Sequence, residues 1–173
     1  MKSLKSIHLF QNGIKEEGMA ELIKSFGSNQ FLSHLMINDN LIKDSAPVLV
    51  EILPLLSNLQ VLDISDSLLG HHHSVFIFKT LTKNEGIKEV FCNYNEIEKK
   101  SAQKTIFELC LTMPSLELVE IKGNDIDSSL WKNFKKDLKN KIKKFEPYSD
   151  EEEIQFEDED DLAEELEKLE LDK

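Results

Sequence analysis

The chain reads as an α/β solenoid: a right-handed stack of strand–helix units, with parallel strands on a concave face and helices on a convex one. Three observations predict it. An eleven-residue pattern recurs five times, as "LKSIHLFQNGI" (4–14), "LSHLMINDNLI" (32–42), "LQVLDISDSLL" (59–69), "IKEVFCNYNEI" (87–97) and "LELVEIKGNDI" (116–126). Successive copies start 27–29 residues apart. Between copies, apolar residues fall at helical spacing. Self-similarity at such a period is the signature of stacked supersecondary units that bury a core only against their neighbours.

Each copy reads apolar-x-x-apolar-x-apolar-x-x-Asn-x-apolar, with Asn12, Asn40, Ser67, Asn95 and Asn124 in the asparagine slot. The apolar-x-apolar centre has the period of a strand with one buried face. An asparagine where the chain turns off the strand can satisfy neighbouring backbone groups, so Asn12, Asn40, Asn95 and Asn124 are expected to form a structural ladder between repeats. Helices follow. Met19, Leu22, Ile23 and Phe26 lie at i, i+3, i+4 and i+7, and Ala102, Ile106, Leu109 and Met113 repeat nearly the same stripe. Asp44 and Ser45 precede Pro47, a helix start with proline in its first turn. Pro114 marks a helix end. The pattern resembles the leucine-rich repeat, and units this long have room for a full helix, as in the ribonuclease-inhibitor-like subclass. Strands stacked about 4.8 Å apart would give a concave floor of roughly 20–24 Å.

Residues 128–145 are expected to close the stack as one amphipathic helix. Trp131, Phe134, Leu138 and Ile142 form its apolar stripe and seven lysines its outer face. Leu4 already opens a strand with no capping element before it, so earlier repeats are expected to have been removed or to be supplied by another molecule. The domain organisation predicted is a repeat domain over 1–145 and an acidic tail over 146–173.

The net charge of −12 sits in that tail: residues 146–173 hold 15 Asp/Glu and 2 Lys, against 18 and 19 in the rest. Such a segment buries too little apolar surface to offset its ordering entropy and is expected to be largely disordered. The charge argues against naked nucleic acid and for basic partners. No run of 18 apolar residues and no apolar signal core is present, so no membrane association is expected. Cys92 and Cys110 fall in apolar registers and read as core residues. Three adjacent histidines, His71–His73, cannot all face one ion on a regular element. With no phosphate loop, nucleophile elbow or CxxC, the sequence predicts no cofactor, no metal, no small-molecule substrate and no enzymatic chemistry of its own.

Strand alternation assigns candidate partner-binding residues. His8, Phe10, Met36, Asn38, Asp63, Phe91 and Asn93 point to the concave face, and Asp39, Asp66 and Tyr94 lie on the loops just after the strands. In the tail, Ser149 heads "SDEEE", a context favoured by acid-directed kinases. Leu162, Leu166, Leu169 and Leu171 of "LAEELEKLEL" have a spacing that resembles a leucine-rich nuclear export signal, read by helix-in-groove insertion into an exportin.

The "YNEIE" of 94–98 followed by a helix, the "MPSLELVEIKGNDID" of 113–127, a cap element and an acidic tail occur in that order. Together they resemble the C-terminal half of a Ran GTPase-activating protein. The resemblance implies a regulatory activator of the small GTPase Ran in nucleocytoplasmic transport, cytoplasmic and perinuclear. It implies that the family's catalytic asparagine and arginine would lie on repeats preceding these. The chain contains no arginine, and no catalytic residue is assigned. An alternative is an acidic leucine-rich nuclear phosphoprotein, a histone-binding or phosphatase-modulating protein with shorter repeats, or another repeat-based interaction module.

Overall fold

The computed structural model describes residues 3–149. Strands β1 (Ser6–His8), β2 (His34–Met36), β3 (Val61–Asp63), β4 (Glu89–Phe91), β5 (Leu118–Glu120) and β6 (Lys144–Glu146) alternate with helices α1 (Glu16–Phe26), α2 (Ala46–Ile52), α3 (Gly70–Leu81), α4 (Lys100–Thr112) and α5 (Ser128–Lys141). All strands pair in parallel in chain order, in register Ile7–Leu35–Leu62–Val90–Val119–Phe145. The molecule is a leucine-rich-repeat solenoid.

Its core is a set of stacked columns. One consists of the strand centres just named. Another is Ile37, Ile64, Cys92 and Ile121, and a third is Leu32, Leu59, Ile87 and Leu116, all buried. Cys92 therefore fills an isoleucine position, and burial pushes its thiol up to about 12. Cys110 is fully buried on α4 and also pushed up by burial. Each fully buried Leu or Ile in these columns contributes roughly 1.5–3 kcal/mol.

The asparagine slot behaves as a ladder in three repeats. Asn40 Nδ2 donates to Leu9 O (2.7 Å) of the preceding repeat, and its Oδ1 accepts from Ile14 N (3.0 Å). Asn95 reaches Ile64 O (2.9 Å) and accepts from Ser67 N and Leu69 N. Asn124 reaches Cys92 O (2.9 Å) and accepts from Asn95 N and Ile97 N. Asn12 departs from the expectation: it is exposed and donates to Phe10 O (3.0 Å) of its own repeat.

Helix α2 is short because Pro54 lacks an N–H; the chain tightens into a 3₁₀ turn over Leu53–Leu55. Pro47 sits in its first turn, as the sequence predicts.

The closing element differs from the expected single helix over 128–145. Helix α5 ends at Lys141, Ile142 is extended, and 144–146 form β6 against β5. The edge of β5 supplies the reason. Ile121 N would lack a strand partner without Glu146 O, which accepts from it at 3.0 Å. Phe145 enters the core between Phe107 and Trp131, with ring centroids at 5.4 and 5.6 Å. The boundary at 145 moves accordingly. Pro147 and Tyr148 are buried, and Tyr148 Oη donates to Ile126 O at 3.2 Å. The first residues assigned to the tail thus belong to the folded body.

Candidate functional site: the concave floor and its rim

Two side-chain columns line the concave floor. One follows the register His8, Met36, Asp63, Phe91, Glu120 and Glu146. The next, two residues on, is Phe10, Asn38, Ser65, Asn93 and Lys122. The structure thus brings the strand-borne candidates onto one continuous surface. His8 and Phe10 are exposed, while Met36, Asn38, Asp63, Phe91 and Asn93 are half-buried.

Above the floor runs a rim of left-handed backbone. Gln11, Asp39, Asp66, Tyr94 and Gly123, each just before the asparagine slot, have φ between 49° and 63°. Gly13, Leu68, Glu96 and Asp125, just after the slot, are left-handed too. For residues other than glycine this costs roughly 1–2 kcal/mol each. The ladder bonds hold the conformation, and the outcome is a row of outward side chains. Tyr94 is 57% exposed, with Leu41 and Leu68 beside the acids at 38% and 39%. Gly123 is required here for two reasons. Its φ is positive, and a Cβ would lie 2.2 Å from the Tyr94 ring, which rests on the glycine. A groove of about 290 Å³ next to Tyr94 is walled by Asp66, Leu68, Glu96, Glu98 and Asp125.

Charge is sorted across this face. The stretches 6–11, 34–39, 61–66 and 89–94 hold four acids (Asp39, Asp63, Asp66, Glu89) and no lysine. The C-terminal third of the floor neutralises itself. Lys122 Nζ lies 2.5 Å from Glu146 and 4.0 Å from Glu120, and Lys144 Nζ lies 2.7 Å from Glu146. Burial raises the Glu146 carboxyl, but the two ammonium groups outweigh it and leave it below its ordinary range. Asn93 ties the two halves, donating to Glu120 Oε2 (3.2 Å) and accepting from Lys122 N (2.8 Å). Asp63 is different. Burial raises its carboxyl, and its hydrogen bonds come from Ser65, the backbone N–H at 3.0 Å.

Sequence reasoning missed several structural residues. Buried Gln103 on α4 donates to Ile97 O (2.7 Å) and Asp125 O (2.9 Å) and accepts from Asp127 N (3.0 Å), tying the last rim loop down. Asn29 and Asn84 staple the helix-to-strand loops to the start of their own repeats, through Leu4 O and Leu59 O, and Asn84 also reaches Leu56 O of the repeat before. Their signal was recurrence at the same phase in the first and third repeats. Among the other candidates, Ser149 is half-buried at the last described position. Leu162, Leu166, Leu169 and Leu171 lie outside the described residues. His71 and His72 pack ring on ring at 4.3 Å at the start of α3, and His73 Nδ1 is 3.1 Å from Leu69 O.

No family model matches the chain. It is similar to Ran GTPase-activating protein 1 of Saccharomyces cerevisiae, 31% identical over 135 residues, which is 73% of this chain and 33% of that protein. The chain thus spans about a third of the length of the curated relative it matches. Among solved structures, the tropomodulin C-terminal domain of Caenorhabditis elegans superposes with a TM-score of 0.71 at 14% identity, covering 81% of this chain and 85% of that one. A structure titled leiomodin-1 actin-binding site 2 gives 0.62 at 13% identity, covering 68% and 70%. At these identities the two structures speak for the fold alone. Among the described residues, no helix is long and apolar enough to cross a membrane.

Proposed function

We propose that this chain is a protein-binding solenoid of the Ran GTPase activator type, contributing to a docking surface for the small GTPase Ran in nucleocytoplasmic transport. The observation that carries this is the charge sorting of the concave face. The strands and pre-slot rim of the first four repeats present acids, aromatics and methionine without a lysine, on a chain similar to a Ran GTPase activator. Such a surface suits a basic, partly apolar protein partner, because complementary potential speeds encounter while exposed aromatics anchor the contact. The role is regulatory. The chain has no arginine to place beside a γ-phosphate. Chemistry in such a complex belongs to the GTPase.

The test uses the full chain with Ran loaded with GTP, in calorimetry and in single-turnover hydrolysis. The expected result is binding that weakens as salt rises, with hydrolysis within about twofold of Ran alone, since exposed charges are screened over roughly 8 Å at physiological ionic strength. Absence of binding at low salt would overturn the proposal. Acceleration by orders of magnitude would overturn the assignment of a purely docking role.

A further inference from the structure

Asp63 stands at the centre of the concave floor, flanked in register by Met36 on β2 and Phe91 on β4. All three are half-buried. A carboxylate withdrawn from water between two apolar side chains is costly unless a cation or several donors compensate it. Among the described residues the compensation comes from Ser65: its N–H donates to Oδ1 at 3.0 Å and its hydroxyl assists. Among the described residues, no lysine or histidine lies within ion-pair distance of Asp63. A second, independent polar group lies diagonally across from it. Asn38 Oδ1 on the neighbouring chain segment is buried and has no hydrogen-bond donor among the described residues. Diagonal neighbours on adjacent strands are about 7–8 Å apart, a gap that one planar group with donors on both edges can bridge.

We infer that Asp63, Asn38, Met36 and Phe91 form a receptor for a single arginine side chain of a basic protein partner. The guanidinium would pair with the Asp63 carboxylate, offer an N–H to Asn38 Oδ1 once a rotation of that amide turns it towards the floor, and lie against the Phe91 ring and the Met36 thioether. Its planar, weakly hydrated fork suits this better than an ammonium, which is a compact and strongly hydrated point charge. Charge complementarity supports a cationic occupant: Asp39, Asp66 and Glu89 surround the site, and the strands and pre-slot rim residues of repeats one to four carry no lysine. The inference rests on the reading of the concave face as a partner surface but does not require that the partner be Ran.

The experiment titrates a blocked Gly-Arg-Gly peptide, and Gly-Lys-Gly as its control, into the full chain carrying labelled methionine methyl groups. Met36 reports from the site, while Met19 and Met113 are fully buried elsewhere. The Met36 methyl resonance should move with the arginine peptide and Met19 and Met113 should not. Asp63→Asn, which keeps an oxygen for Ser65 N–H, should weaken binding about tenfold, as expected for loss of one charge-assisted pair. Asp66→Asn, on the rim, should weaken it less than about twofold. Should Asp63→Asn fail to fold, Phe91→Leu and Asn38→Ala serve in its place, and each should weaken the arginine peptide more than the lysine one. Equal losses for Asp63→Asn and Asp66→Asn, a stationary Met36 methyl, or equal affinity for the two peptides would overturn the site in favour of a diffuse acidic field. Failure of Ran to bind, with these results intact, would remove the proposed partner and leave the receptor standing.

Discussion

At the residue scale the asparagine slot explains both the regularity of the rim and its break at the third repeat. Asn40, Asn95 and Asn124 each satisfy backbone groups in two repeats. Ser67 occupies the same slot, is fully buried, and reaches only Ser65 O (3.0 Å) in its own repeat. A serine is too short to serve the second repeat's turn as Asn95 serves the third. Ser67→Asn should therefore stabilise the protein by about 1 kcal/mol, the net worth of one or two added hydrogen bonds, read as a rise in the denaturant midpoint at unchanged slope. A fall in the midpoint would mean the slot is too tight for the longer side chain. Gly123→Ala should act the other way, costing about 1–2 kcal/mol for its left-handed backbone and pushing the Tyr94 ring off the rim. Partner binding should weaken together with stability; a loss of stability with full binding would show that Tyr94 is not part of the surface. The ladder was legible in the sequence because one residue type must recur wherever the same backbone groups need satisfying. The identity of Gly123 as the seat of Tyr94 was not, since two residues 29 apart in the chain meet only once the repeats stack.

At the element scale the strands and the first four helices follow from local pattern, and the cap does not. Leu138, Ile142 and Phe145 sit at i, i+4 and i+7, so a continued helix fits the sequence as well as a helix followed by a strand. The open edge of β5 decides between them, and that edge is a property of the assembled sheet. The same holds for the Lys122–Glu146 pair, which exists only because β6 lies beside β5. The start of α5 carries its own prediction. Asp127 caps the helix, accepting from Leu130 N (2.8 Å) and Ser129 Oγ (2.6 Å), and pairs with Lys100 at 2.8 Å. The Lys100 ammonium first, then Ser129 and Leu130, hold its carboxyl down at about 2, against an ordinary 3.8. A depressed carboxyl stabilises the fold fully above its ordinary range and loses that contribution as pH falls from about 4 towards 2. Asp127→Asn should lower the melting temperature at neutral pH, by the equivalent of about 0.5–1 kcal/mol for a weakened cap and lost ion pair. It should also flatten the fall of stability between pH 4 and 2. A variant with an unchanged acid limb would exclude Asp127 as a contributor to it.

At the scale of the whole molecule the feature that matters is where charge lies. The body is nearly neutral, yet the concave side of its first four repeats is acidic, and most lysines lie on the helices, on the loops or in the cap. Composition showed the acidic tail at once. The acidic floor became visible only when strand parity and register placed Asp63, Asp39, Asp66 and Glu89 on one side. The tail leucines carry a separate expectation. In a fluorescent fusion small enough to cross nuclear pores freely, alanine at Leu169 and Leu171 should shift the chain into the nucleus, matched by blocking the exportin. An unchanged distribution would remove the export role without touching the solenoid. The central claim, that the concave floor and rim are the docking surface, is tested most directly by amide hydrogen exchange of the full chain with and without Ran·GTP. Slowed exchange is predicted in 36–39, 63–68 and 91–96, with the helices α2 to α4 unchanged. Protection confined to the convex helices, with the floor exchanging as in the free chain, would contradict it.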